Sequence, residues 1–495
     1  MFHTVLKRAT MSVMKSKCIS LSPLSRAMLV RTSSTSETVT NGGTSSDSST
    51  PSPNNSSKES NVEHECDKNN NEFLHKTRDE IMKMCLKDPT ALFSIKQTDY
   101  PFPADSVLLH RGDSIVEMNK ERMVIGDTQS HQLLRVNEED LSGIQHGRVL
   151  DMKEKGERWE GDVLNDQPYG WGVLYDSEKR KMYEGFRIGG VNVCYGTRYY
   201  SDIQKVEYEG EWCEGNRMGV GVLYDRDEVV IHEGEWVNNR PLLTRVEMTD
   251  KNPALHNRIE ELIVKNKSCN GKEWKSLDLS LLSKLRKLRI GDECFDKVER
   301  VKLNGLNELE RVEIGYGSLR QMEMLDSSFE MKDCEKLKEL IIGYESLNYF
   351  KGITIKNVPS LERIEMDGSC FYWSSLELKD MPKLQSLFFG PEAFGGCEKA
   401  VFENLPELRE MVFGMDAFRF KRRDIANTQL VMRNLPKLQT CKIGFWMSAT
   451  FVYLSNVIME NIPSATDVSF CNRAFMYVDN SEIKNVSPIL RRYLA

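Results

Sequence analysis

From residue 282 the chain repeats one hydrophobic phrase. It reads "LSKLRKLRIGDECF" (282–295), "LNELERVEIGYGSL" (306–319), "CEKLKELIIGYESL" (334–347), and five further variants carry it to residue 475. Near the end of each phrase apolar and polar residues alternate, the period of a strand with one buried face. The position after that strand runs Gly291, Gly315, Gly343, Asp367, Gly390, Gly414, Gly444, Cys471, at spacings of 24, 28, 24, 23, 24, 30 and 27 residues. A second strand-like piece precedes the phrases, as in "VKLNGL", "ITIKNV" and "LVMRNL". Apolar positions recurring at such a period predict a solenoid, because one coil alone has nothing to bury its stripe against.

Three details sharpen this prediction. The glycine suits a corner where a side chain would obstruct the chain. The aromatic four residues later (Phe295, Phe371, Phe394, Phe418) is expected to pack under the next coil. The second piece ends on a polar column, Asn304, Asp333, Asn357, Asp380, Asn404, Asn434, Asn461 and Asn485, which is expected to hydrogen-bond backbone groups at the bend. Ahead of the array, residues 251–276 predict a connecting or capping helix: Asn252 as cap, Pro253 at the first position, and Leu255, Ile259, Leu262 and Ile263 on one face. "SPILRRYLA" predicts a cover at the other end, with Ser487 and Pro488 opening it.

A different grammar fills residues 157–240. "WEGDVLNDQPYGWGVLY" starts at Trp159, "YEGFRIGGVNVCYGTRY" at Tyr183, "YEGEWCEGNRMGVGVLY" at Tyr208 and "HEGEWVNNRP" at His232. Each unit holds two strand-like pieces around a polar turn, which predicts stacked β-hairpins. The expected shared core is Trp159, Gly161, Gly172, Tyr183, Gly185, Tyr208, Gly210, Trp212, Gly219, Gly221, Gly234 and Trp236. "YEGEW" followed by "GVGVLY" resembles the MORN repeat. The L-x-x-L-x-[IF]-G phrase with its Asn column resembles an irregular, strand-rich leucine-rich repeat over residues 277–486. The fold class expected is therefore a mainly β repeat protein, a MORN-type β-hairpin sheet followed by an irregular leucine-rich-repeat solenoid within 277–495. The resemblance to MORN modules implies protein scaffolding or membrane-lipid association.

The remaining segments say less. Residues 1–36 are basic, rich in serine and free of acids; the expectation is a disordered tail on a cytoplasmic protein, with a transit peptide to a mitochondrion-type organelle as the alternative. Residues 37–72 are dominated by Ser, Thr and Asn and predict a disordered linker. Residues 73–150 predict a small folded segment of unknown class, with a helix around Ile81 and Cys85 and a hairpin turning at Asn119 and Lys120. "EHECD" (63–67) is a weak metal-binding pattern within the linker.

Chemistry adds little to this picture. The chain carries a net charge of -7, which attracts neither nucleic acid nor an anionic membrane. Residues 157–240 alone hold ten Lys/Arg and seventeen Asp/Glu, so the membrane is the less favoured partner for the hairpin sheet. The twelve cysteines include no C-x-x-C pair and read as reduced, buried small residues. No phosphate loop, metalloprotease, hydrolase or kinase signature is present. The expectation is a non-enzymatic scaffold without cofactor or metal that holds protein partners on a repeat surface. The candidate surface lies on the outward positions of the solenoid strands: Arg289, Arg311, Ile341, Arg363, Phe388 and Val412. Ile341, Phe388 and Val412 are apolar where the pattern expects polar residues. Either they face a partner, or the chain itself covers them, or the register is displaced by one.

Overall fold

A computed structural model describes residues 71–95, 103–152, 156–250, 255–320, 326–443 and 448–494. These belong to one compact unit, Asn69–Ala495. It is mainly β, and its C-terminal part is a β-solenoid of about nine turns. The transit-like tail and "EHECD" lie outside the described residues.

The first element is the helix Arg78–Lys87, opened by a reciprocal cap: the Thr77 hydroxyl accepts from the Glu80 amide (3.3 Å) and the Glu80 carboxylate accepts from the Thr77 amide (2.8 Å). It buries Ile81 and Cys85 against an antiparallel sheet of strands 92–95, 104–111, 114–119, 123–127 and 132–136. Alternation along these strands gives the sheet two apolar faces. Val107, Leu109, Val116 and Ile125 join the core under the helix, which continues into the solenoid. Leu108, Ile115, Val124 and Leu133 pack instead against the next sheet. The turn predicted at Asn119 is present, its side-chain oxygen accepting from the amides of Glu121 (2.8 Å) and Arg122 (2.6 Å).

The second sheet is a nine-stranded antiparallel meander from 145–151 to 240–241. It begins earlier than the sequence pattern suggested, because strand 145–151 lacks the aromatic-Glu-Gly start and sets Arg148 rather than a glycine opposite Gly161, yet pairs with 158–164. Seven glycines align in register across seven adjacent strands: Gly161, Gly172, Gly185, Gly196, Gly210, Gly221 and Gly234. The row exists for the rings beside it. A Cβ on Gly172 would lie 2.5 Å from the Trp159 ring, and one on Gly221 would lie 2.5 Å from the Tyr208 ring. Trp159, Tyr183, Tyr208, Trp212 and Trp236 are all buried there, with Tyr208 edge-on to Trp212 (5.1 Å) and Trp236 (5.6 Å). Each indole N–H finds a backbone carbonyl: Trp159 to Asp162, Trp212 to Gly196 and Trp236 to Gly221, at 2.9–3.0 Å. Gly219 stands outside the row, on the face toward the first sheet, where a Cβ would strike Leu108 and the Glu211 carboxylate.

Two buried carboxylates tie the sheets together. Glu117 accepts from Arg122 (3.0 Å) and from the amides of Cys194 and Glu214 (both 3.1 Å). Burial pushes its carboxyl above the ordinary range, while Arg122 and the two amides pull it back. Glu211 bonds His110 at 2.8 Å and accepts from the Val220 amide at 2.8 Å.

The solenoid runs on two faces. Ten parallel strands form one: 245–248, 261–264, 287–290, 311–314, 339–342, 363–366, 386–389, 410–413, 440–443 and 467–469. The facing side is built from strands 276–278, 300–304, 328–332 and 352–356, then 376–379, 399–403, 429–433, 456–462 and 480–486. The predicted helix in 251–276 is therefore replaced by strands Leu255–His256 and Glu261–Val264. In "ELIV" Leu262 and Val264 point inward and Ile263 outward, so the two-residue period overrides the helical spacing. Asn252 and Pro253 lie outside the described residues. At the far end Ser487 caps the short helix Pro488–Arg491, whose Leu490 is fully buried.

The corner glycines act through close approach. A Cβ on Gly315 would sit 2.7 Å from the Gly291 carbonyl carbon, and one on Gly343 2.9 Å from that of Gly315. The aromatic position is the unusual one: Phe295, Leu319, Leu347, Phe371, Phe394, Phe418, Phe451 and Phe475 all adopt left-handed backbone, φ 49–63°. That twist turns each ring into the core, where Phe371, Phe394 and Phe418 stack at 5.7 and 4.8 Å. The polar column differs from expectation in two ways. Its side chains bond each other from coil to coil more than the backbone: Asn404 to Asp380 (2.7 Å), Asn434 to Asn404 (2.7 Å), Asn461 to Asn434 (3.3 Å) and Asn485 to Asn461 (2.9 Å). Asn304 is also out of the column. Gly305 takes the left-handed position there (φ 69°), and Asn304 donates to Glu330 at 3.0 Å.

Candidate interaction surface

The inward residues of the ten-stranded sheet are buried in pairs, among them Leu288/Ile290, Leu340/Ile342, Leu387/Phe389 and Met411/Phe413. The register read from the sequence therefore holds, and every candidate surface residue points outward. Strand pairing sets them in two rows. One row runs Arg289, Glu313, Ile341, Glu365, Phe388, Val412, Lys442. The other runs Lys287, Arg311, Glu339, Arg363, Ser386, Glu410.

The structure separates these candidates by character. The arginines are committed within the sheet: Arg311 pairs with Glu313 (2.5 Å) and Glu339, Arg363 pairs with Glu365, and Arg289 faces Glu313 at 3.9 Å. Hydrogen bonding to Glu313 holds the Arg311 guanidinium above its usual range despite some burial. Such exposed pairs add little stability, about 0–1 kcal/mol each. Their effect is to cancel charge over the face. The apolar members remain: Phe388 is 37% exposed, beside Val412 on the neighbouring strand, with Ile341 two strands away.

Sequence reading missed other exposed apolar residues, which lie just beyond the sheet's strands. Tyr316, Tyr344 and Met415 follow the corner glycines and are 47%, 40% and 42% exposed. Tyr316 and Tyr344 stack in parallel (6.1 Å, 3°), and Gly368 lies under the Tyr344 ring. The signal was present: aligned after the anchor, Asp292, Tyr316, Tyr344, Gly368, Pro391 and Met415 place large rings where nothing inward requires them. The hairpin residues behave otherwise. Trp159, Tyr183, Tyr208, Trp212 and Trp236 are interior, and their glycines serve packing.

Other chemistry is sparse. The ten cysteines among the described residues are all unpaired and buried, and burial pushes the thiols of Cys85 and Cys441 up to about 12. No group of three metal-ligating side chains occurs among the described residues, nor is any of their helices long and apolar enough to cross a membrane. The "RGD" at 111–113 is a tight turn: its arginine is exposed, pairs with Glu72 and Asp88 and lies over Phe73 at 5.6 Å. Compared with known proteins, the chain matches no protein-family model and no curated protein.

Proposed function

We propose that this protein is a non-enzymatic scaffold that holds a protein partner on the outward face of its ten-stranded sheet. The observation that carries the reading is the outward, exposed Phe388 beside Val412 on the neighbouring strand, on a face where Arg311 and Arg363 pair with adjacent glutamates. Exposed apolar area rimmed by charge is characteristic of partner sites. The solenoid then serves as a leucine-rich-repeat-like array and the hairpin sheet as a MORN-type module that extends it. A protein partner is favoured over an anionic membrane because seventeen acids outnumber ten basic residues across 157–240.

The test is the double variant Phe388→Asp/Val412→Asp, compared with wild type by proximity labelling in the native cell. Both side chains face solvent, so the fold is expected to persist and a specific set of labelled proteins to disappear. An unchanged set contradicts the proposal.

A further inference from the structure

The longest coil of the solenoid separates Gly414 from position 444, thirty residues where most coils take 23 or 24. The excess falls in "RFKRRDIAN" (419–427), of which Arg422–Asn427 form a 3-10 segment. Insertions in repeat arrays collect on one face and often build its binding site. Here the corners of four successive coils enclose a cavity of 550 Å3.

Its aromatic side comes from Trp373, Tyr372 and Tyr453. Gly395 and Gly396 form the floor. A Cβ on Gly395 would lie 2.7 Å from the Tyr372 ring, and one on Gly396 2.5 Å from the Trp373 ring. Trp373 still leaves 40% of its surface to solvent.

Its charged side is basic. Two cations are already engaged: Arg419 donates to the Tyr372 hydroxyl (2.8 Å) and faces Asp416 (3.6 Å), while Lys421 pairs with Glu398 (2.7 Å). The other two are exposed. Arg422 lies over the Tyr453 ring at 5.7 Å, and neither it nor Arg423 forms an ion pair among the described residues. Asp424, the adjacent acid, accepts from Asn427 at 2.9 Å. Among the described residues, no acid lines the cavity.

We propose that this pocket binds a phosphate carried on a flat ring, as on a phosphotyrosine side chain of a partner protein. The ring lies against Trp373, and the phosphate, with about 1.5–2 negative charges, meets the Arg422 and Arg423 guanidiniums. A lone carboxylate carries less charge and leaves the aromatic wall unused. The site goes beyond the sheet-face reading and is spatially distinct from Phe388 and Val412, so either can fail without the other.

The test uses the full chain and fluorescence polarisation with a phosphotyrosyl peptide, its unphosphorylated twin and a phosphoserine twin, with AMP as competitor. The phosphotyrosyl peptide is expected to bind at least about tenfold tighter than either twin, and more weakly as salt rises. Arg422→Ala/Arg423→Ala and, separately, Trp373→Ala are each expected to lose at least about tenfold, with an unchanged thermal midpoint. Tyr453→Leu replaces Trp373→Ala should the latter unfold. With phenyl phosphate as a second competitor, displacement by AMP at the lower concentration assigns the site to a nucleotide and overturns the phosphotyrosine proposal. Equal binding of phosphorylated and unphosphorylated peptides, equal binding of phosphoserine, or indifference to the arginine substitutions overturns the proposal.

Discussion

Tyr208 shows how one residue dictates another thirteen positions away. Its ring lies across Gly221, so any side chain there competes for the ring's space. Gly221→Ala is expected to cost about 1–3 kcal/mol through overpacking. Gly190 is the control, because nothing lies within 4 Å of a Cβ built there and its φ is ordinary. Gly190→Ala should be nearly silent or slightly stabilising in a denaturant melt. Equal effects of the two substitutions would show that the glycine row does not act through the rings. This part of the architecture was legible because ring and glycine recur in the same repeat. The His110–Glu211 bond was not, since 101 residues separate its partners and neither belongs to a pattern.

His256 adds a pH dependence at the same scale. It is buried on the short strand that joins the first sheet to the solenoid, pairing opposite Ser94. Burial, with Arg258 nearby, lowers its pKa from 6.5 to about 4. The neutral ring therefore contributes stability that is complete above about 6.5 and drains away as the pH falls toward about 4. Thermal midpoints measured across that window should fall more steeply for wild type than for His256→Phe. Parallel curves would remove His256 as the cause.

At the scale of elements, the solenoid coil is held by positions that share a backbone state. Asn434 combines a left-handed φ of 54° with a bond to Asn404 and another from Asn461. Asn434→Ala loses the ladder and leaves a Cβ residue without local hydrogen bonding in that conformation, an expected cost of about 1–3 kcal/mol. Asn434→Gly should recover the conformational part only. A melt in which alanine and glycine behave alike would remove the backbone from the explanation. The periodic strands and the Asn column could be read from spacing alone. Two things could not: Asn304 and Gly305 stand side by side, and spacing does not say which one turns the corner, while the helical spacing of Leu255, Ile259, Leu262 and Ile263 concealed a strand that alternates over only four residues.

The junction of elements was invisible for a different reason. Asn257 accepts from the Phe93 amide (3.3 Å) and donates to the Ala91 carbonyl (2.8 Å). Arg258 donates to the carbonyls of Pro89 (2.8 Å) and Thr90 (2.9 Å) and to Glu235 (3.2 Å). Two adjacent residues thus fasten the helix-bearing sheet, the hairpin sheet and the first coil, and the contacts to residues 89–93 span more than 160 residues of chain. Arg258→Ala is expected to cost about 2–4 kcal/mol, since it removes several charged hydrogen bonds. Hydrogen exchange should show the loss as faster exchange at strand 92–95 before strand 363–366. Uniform acceleration would indicate a global effect instead.

At the scale of the molecule, one hydrophobic core runs from Phe73 through the coils to Leu490. Continuity of that kind stiffens the ten-stranded sheet, so its outward face is a fixed surface rather than one assembled on binding. The candidate patch was half legible in the sequence. Ile341, Phe388 and Val412 broke the alternation and announced themselves, whereas the arginines beside them looked equally available until their pairing within the sheet was visible. The most direct measurement places a photo-crosslinking amino acid at position 388 in the full chain, with position 379 on the opposite sheet as control. The account predicts a discrete crosslinked partner protein from 388 and none from 379. No crosslink at 388, or the same products from both positions, would contradict it.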